Sequence, residues 1–197
     1  MPRPSNPEVR RRLLDAGLDL VHARGFASSG VQDITAAAGV PKGSFYAYFP
    51  SKEAFGAAVL EHYWSDIETR LLPILGEDGL AQERVRRFFH ALADDHEAGD
   101  FLLGCLIGNL SLELSGSSEP VRAELVRILD GWNEALTACV RSGQGADAGD
   151  VRADLDATEL ASLLIEAWEG AALRGKVTRS RTPYDRFEAV TVPALLH

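Results

Sequence analysis

Apolar residues recur three and four positions apart along almost the whole chain, and nowhere do they alternate in the period-two pattern of a half-buried strand. A chain patterned this way buries itself by packing helix on helix, so the expected class is all-α. The 197 residues, 46% hydrophobic and 25% charged, supply an ample core and exclude disordered or collagen-like structure. No apolar run reaches the roughly 18–20 residues needed to span a bilayer. The opening Met1-Pro2-Arg3-Pro4-Ser5-Asn6-Pro7 leads into a charged segment, not an apolar signal core. The expectation is a cytoplasmic protein with no membrane partner. Cys105 and Cys139 lie in helical-looking segments and are expected to be reduced.

Local signals divide the pattern into elements. Asn6 before Pro7 reads as a cap and first turn, opening a helix over 7–24 that Gly25 ends. Ser29 and Gln32 have capping-box spacing and open a short helix over 31–38, stopped by Gly39. Another short helix is expected over 42–48, and the pair makes a helix-turn-helix candidate. Longer helices are expected over about 52–72, 80–98, 103–114, 119–142, 156–176 and 183–195, by the same periodicity and turn signals. The glycine-rich stretch 143–149 follows a helix and has no strand before it, so it reads as a linker and not a phosphate cradle. Asn109-Leu110-Ser111 matches a glycosylation sequon only by accident in a chain without a secretory signal.

The net charge of −9 argues at first against a nucleic-acid partner. Residues 1–55, however, carry seven basic against five acidic side chains, while the remainder carries 13 against 24, a balance of −11. The amino-terminal segment can meet an anion that the rest repels. On a wheel of about 100° per residue, Phe45 and Phe49 share one face of 42–49, and Ala47 lies opposite, flanked by Gly43 and Ser44 and then by Tyr46 and Tyr48. Small residues at the centre let a backbone approach base edges, and Lys42 with the rim tyrosines reaches phosphates on either side. The amino end of the preceding helix, near Ser29 to Gln32, offers amides to another phosphate. Core filling by the aromatics accounts for the same pattern, so the wheel alone leaves both readings open.

The stretch Gly25-Phe26, Asp33-Ile34, Ala37-Ala38-Gly39-Val40, Lys42-Gly43-Ser44-Phe45-Tyr46, Tyr48-Phe49 and Ser51-Lys52-Glu53-Ala54 resembles the DNA-binding domain of TetR-type bacterial transcriptional regulators. The resemblance covers about 50 residues without a gap. It implies a homodimer of nine-helix subunits that binds double-stranded operator DNA through a helix-turn-helix domain, here residues 1–52. A helical ligand-binding and dimerisation domain would occupy 53–197. By position, Val31, Gln32, Lys42, Gly43, Tyr46, Ala47, Tyr48 and Lys52 match the family's DNA-contacting sites, and Ser44 flanks them. Ala47 departs from the larger residue often found there, which limits readout at that point to apolar contact, for example with a thymine methyl.

Segment 156–176 carries Leu160, Leu163, Leu164, Ala167, Trp168 and Ala171 on one face and Ala161, Ile165 and Ala172 on an adjoining one. So wide an apolar arc exceeds what one domain core covers, and the surplus points to a two-fold four-helix bundle with 183–195 of each subunit. Trp64, Phe101, Trp132 and Trp168 line an apolar pocket in one reading and simply pack in the other. Cys105 follows a glycine near a helix start, where the dipole favours thiolate, yet buried cysteine is also common as a small hydrophobe. The run Gly104-Cys105-Leu106-Ile107-Gly108-Asn109-Leu110, with Trp168-Glu169-Gly170-Ala171, is similar to TetR-type repressors that respond to acrylate, N-ethylmaleimide and related electrophiles. That resemblance implies a small-molecule inducer sensed near Cys105, with Asn109 among the candidate ligand residues.

Two other classes stay in view: a small helical enzyme, and an adaptor that binds only protein. No P-loop, nucleophile elbow or H-E-x-x-H occurs, and the histidines lack ligand spacing, so neither catalysis, a cofactor nor a metal is expected. Asp94, Asp95, His96 and Glu97 read as a solvated acidic helix end. An adaptor leaves the charge contrast and the Lys42/Tyr46 face without a role.

Overall fold

The computed structural model describes residues 6–145 and 149–197, and every regular element among them is helical. Residues 1–5 of the opening segment and 146–148 of the glycine-rich linker lie outside the described residues. The helices are α1 (Pro7–Arg24), α2 (Val31–Ala37), α3 (Lys52–Arg70), α4 (Ala81–Ala98), α5 (Leu106–Leu114), α6 (Glu119–Gln144), α7 (Ala157–Thr178), α8 (Thr182–Arg186) and α9 (Val192–Leu196). Among the described residues, none is long and apolar enough to cross a membrane.

The chain forms two compact units. Of the described residues, one comprises those up to Ser65 and Leu106–Arg127; the other comprises Asp66–Cys105 and those from Ile128 to His197. In the first, Asn6 caps α1 as expected, its Oδ1 accepting from the Glu8 amide at 3.0 Å with Pro7 in the first turn. Gly17 lets α1 meet α3 closely: a Cβ there would stand 2.2 Å from Cζ of Phe55. Leu13, Ile34, Phe45, Phe55 and Val59 are fully buried around that crossing. Phe45, Phe49 and Phe55 pack with ring centroids 4.9–5.5 Å apart, in edge-on and tilted geometries that suit aromatic quadrupoles.

Three local expectations are corrected here. Ser29 does not cap α2: its hydroxyl donates back to the Gly25 carbonyl at 2.8 Å, and Gly30 is the N-cap, with no side-chain bond. Lys42–Ala47 is a 3-10 helix and not an α-helix. Pro41 opens it in extended conformation, the Ser44 amide bonds back to the Pro41 carbonyl at 2.9 Å, and so short a segment containing Gly43 cannot offset the cost of α-nucleation. The helix after Gly104 begins at Leu106, later than expected, because Asp100, Phe101 and Gly104 all take positive φ (52°, 56° and 68°).

The second unit is organised by α4, α7 and the final helical run. Asp156 caps α7 through the Thr158 and Glu159 amides, and Arg179 ends it in the left-handed conformation. The closing run, expected as one helix over 183–195, widens into a π turn at Phe187–Thr191 between α8 and α9. Pro193 explains the widening, since its ring clashes with the carbonyl four residues back in an unbroken α-helix and it lacks the N–H to bond it. Gly175 on α7 gives way to Tyr184, whose Cε2 stands 2.2 Å from where a Cβ would be.

Candidate functional site

The first unit presents the 3-10 segment with its two faces as the sequence pattern requires. Phe45 and Phe49 are buried. Lys42, Gly43 and Ala47 are exposed, Ser44 and Tyr48 are half-buried, and Tyr46 stands 61% exposed despite its size. Three residues per turn places Gly43 and Tyr46 on one edge and Ser44 and Ala47 on the next, and the space above Gly43 is open, with nothing within 4 Å of where a Cβ would stand. Among the described residues Lys42 enters no ion pair, so its ammonium is available to an anion. On α2, Val31 is half-buried and Gln32 exposed. The Asp33 carboxylate lies 3.0 Å from the Cβ position of Gly30, which places a negative charge where the sequence reading seats a phosphate.

Lys52 holds a different position from Lys42. Its Nζ donates to the Phe26 carbonyl at 2.7 Å and sits 4.3 Å from the centre of the Phe26 ring. The same short loop is gripped from its other side by Glu113 of α5. That carboxylate accepts from the Phe26 amide at 2.9 Å and the Ala27 amide at 2.6 Å, beside Gly25 with its φ of 82°. One peptide stretch between α1 and α2 thus has its carbonyl held by a cation and its amides by an anion. Sequence reasoning missed Glu113, because a bond across 87 positions leaves no local pattern.

In the second unit an aromatic cluster branches from Phe89, whose ring meets Phe88, Trp132, Trp168 and Phe187 at centroid distances of 4.8–6.3 Å, and Trp168 carries it on to Tyr184 at 5.3 Å. Phe101 stacks on Tyr184 at 5.7 Å, and Trp132 and Trp168 are each only 1% exposed. Of the expected ligand residues, Phe101, Cys105, Trp132 and Trp168 belong to this unit, whereas Trp64 and Asn109 belong to the other. A cleft of about 290 Å³ elsewhere in the unit is lined by Leu72, Leu75, Arg84, Ala138, Cys139 and Ser142, and by none of the expected ligand residues. There the buried Arg84 guanidinium donates to the Leu75 carbonyl at 2.8 Å and to the Ser142 hydroxyl at 2.6 Å.

Cys105 is buried immediately before α5, and its thiol donates to the carboxylate of Glu169 on α7. Burial pushes the Glu169 carboxyl above the ordinary carboxylate range, with the thiol bond opposing the shift. Burial likewise lowers the Lys176 ammonium, whose stem lies against Gly104. Tyr184 is pushed up, by burial first and then by the neighbouring Cys105 and Glu169. Its hydroxyl lies 2.8 Å from His96 Nδ1 and 3.4 Å from the Ala172 carbonyl. His96 is therefore buried, a correction to the reading of 94–97 as wholly solvated. Asp94 and Glu97 do face solvent, and both bind Arg181 at 2.6 Å. Cys139 differs from Cys105: its thiol donates to the Ala81 carbonyl at 3.6 Å and is pushed up to about 11 by burial. Among the described residues no group of three or more His, Cys, Asp or Glu side chains could hold a metal ion.

The wide apolar arc of α7 divides in two. Leu160, Ala161, Leu164, Ile165, Trp168, Ala171 and Ala172 are buried within the unit, while Leu163, Leu173 and Val177 are 41%, 55% and 75% exposed on the outer side. Val190 of the closing run, 60% exposed, adds to the apolar surface.

Comparison with known proteins matches residues 13–59 to the family model for bacterial regulatory proteins, tetR family. Residues 81–191 match the tetracyclin repressor-like, C-terminal domain. The HTH-type transcriptional repressor DhaR of Mycobacterium sp. (strain GP1) is 43% identical over 189 residues, which are 95% of this chain and 92% of that protein. The crystal structure of regulatory protein TetR from Rhodobacter sphaeroides aligns with a TM-score of 0.86 and 33% identity over 96% of this chain and 99% of the other. The crystal structure of E. coli NemR in its reduced form gives 0.83 and 30% identity over 96% and 97%.

Proposed function

Because the chain belongs to the TetR family of bacterial regulatory proteins, whose members bind operator DNA and form dimers, we propose that it is a homodimeric repressor released from its operator by a small molecule sensed near Cys105. The observation that carries the DNA-binding half is the 3-10 segment. It turns Phe45 into the core, joined there by Phe49 just beyond its end, and leaves Lys42, Gly43, Tyr46 and Ala47 outward, inside the stretch matched to the family model. In this reading residues 1–52 form the DNA-binding domain, with Lys42, Tyr46 and Tyr48 on phosphates and Gly43, Ser44 and Ala47 close to base edges. Val31 and Gln32 flank them from α2. Lys52 keeps two of its three donor positions for a phosphate while it holds the Phe26 carbonyl.

Residues 53–197 form the ligand-binding and dimerisation domain. The exposed Leu163, Leu173 and Val177 of α7 and Val190 support a two-fold bundle built from 156–176 and 183–195. The inducer is an electrophile or unsaturated acid that reaches Cys105 beside Phe101 and Trp168, with Trp132 as a further ligand residue of the same unit. The similarity of the Gly104–Leu110 and Trp168–Ala171 runs to electrophile-responsive repressors supports this class of ligand. Ligand binding releases DNA only by favouring one dimer conformation over the other.

A gel shift on DNA flanking the protein's own gene tests both halves. The expected result is a salt-sensitive shifted band that acrylate-like or maleimide-like compounds release from the wild type and not from Cys105→Ser. A protein that retains no DNA at low salt refutes the repressor reading. Normal release from Cys105→Ser removes the thiol from induction.

A further inference from the structure

Cys105 is buried beside a second ionisable group, and that group carries more than a packing role. Glu169 accepts the Cys105 S–H, yet its Oε1 is buried and has no hydrogen-bond partner among the described residues. A carboxylate kept largely out of water with an oxygen unused is costly as a structural choice, since each missing bond forfeits solvation that nothing returns. The cost is explained if that oxygen serves a ligand or a proton in transit.

The titratable groups around it come from every neighbouring element. Cys105 stands before α5, Tyr184 on α8 bonds His96 of α4, and Arg181 acts on Tyr184. Lys176 lies two turns along α7 with its stem on Gly104. Among them Glu169 accepts the hydrogen bond of the Cys105 thiol.

We propose that Glu169 is the acid–base partner of Cys105 and that the cluster takes uncharged α,β-unsaturated carbonyl compounds. As the sulfur attacks the β-carbon, the S–H bond breaks and its proton passes to the Glu169 carboxylate. An S–C bond forms while the C=C electron pair moves to the carbonyl side as an enolate. Glu169 then gives the proton to the α-carbon, so S–H has added across C=C, no redox partner is needed, and the carboxylate is restored. A carboxyl held above its usual range suits this exchange, being closer in proton affinity to a thiol than an exposed carboxylate is. An anionic ligand such as acrylate instead meets a like charge in a poorly hydrated site. This assignment rests on the reading of Cys105 as the inducer-responsive group.

The test uses the full chain and follows alkylation of Cys105 by acrylamide and by N-ethylmaleimide, with acrylate as the anionic comparison for acrylamide, by peptide mass spectrometry between about pH 6 and pH 8.5. Wild-type protein should react at a rate that levels off above the Glu169 titration, because the pair carries one proton across that range. Glu169→Gln should be at least about tenfold slower at pH 7, rise about tenfold per pH unit like an isolated thiol, and narrow the gap between acrylate and acrylamide. Glu169→Asp should recover part of the rate. Operator retention and Tm of both variants establish that they are folded. A Glu169→Gln rate within twofold of wild type with the same pH slope overturns the assignment. Rapid, Glu169-dependent alkylation that leaves the operator bound keeps the assignment and sinks the inducer reading. A wild-type Cys105 inert to both probes sinks both.

Discussion

Replacing Glu113 by alanine removes the carboxylate that holds the Phe26 and Ala27 amides, and the structure sets the size of the effect. The bond to the Phe26 amide is charge-assisted, 2.9 Å long and partly buried, so its loss leaves a donor poorly served by water. That is worth about 1.5 kcal/mol, the low end for a bond to a charged group. The Ala27 amide is exposed, and water replaces its 2.6 Å bond at a cost of about 0.5 kcal/mol. The expected loss is therefore about 2 kcal/mol, or roughly 4–8 °C in Tm for a chain of this size. Thermal and urea unfolding at fixed protein concentration measure it, with Glu113→Gln as the control that retains one acceptor and recovers about half. A Glu113→Ala protein melting within about 1 °C of wild type shows that the clamp is solvated in solution, and refutes the reasoning.

Gly175→Ala forces a Cβ to 2.2 Å from the Tyr184 ring; it should cost about 2 kcal/mol or more in urea unfolding through overpacking of the aromatic stack. Gly104→Ala combines a φ of 68° with Lys176 Cδ only 2.9 Å away, and should lower stability by about 1–2 kcal/mol by the same measurement. Lys42→Ala should flatten the log–log salt dependence of operator binding by about 1 unit, read by fluorescence anisotropy, if it neutralises one phosphate. An unchanged slope takes Lys42 off the DNA. Tyr46→Ala should weaken the operator about fivefold without moving Tm, since its ring is 61% exposed and the proposed reading assigns it one modest hydrogen bond to the duplex.

What could be read from the sequence was whatever is encoded within a few residues. Asn6-Pro7 and Gly25 mark the ends of α1, and the spacing of Phe45 and Phe49 announces a buried edge with Ala47 outward, whether the segment is wound as α or 3-10. The winding itself was not legible, because a segment of six residues is too short for its pattern to tell a period of 3.0 from one of 3.6. Contacts between distant positions left no trace. Glu113 looks like any exposed helical acid until Phe26 is beside it, and His96 sits in an acidic tract but is buried by Tyr184, 88 positions away. Glu169 was visible only as part of a short run next to Trp168; its bond to Cys105 depends on how α7 packs.

The sealed thiol of Cys139 gives the molecule a built-in clock. Although it borders the cleft beside Arg84, the thiol is bonded to the Ala81 carbonyl and pushed up to about 11, so the second, slow adduct in a maleimide time course follows how often the packing of α4 on α6 loosens. Any small molecule that tightens this unit will lengthen that interval, whether or not it ever touches a cysteine.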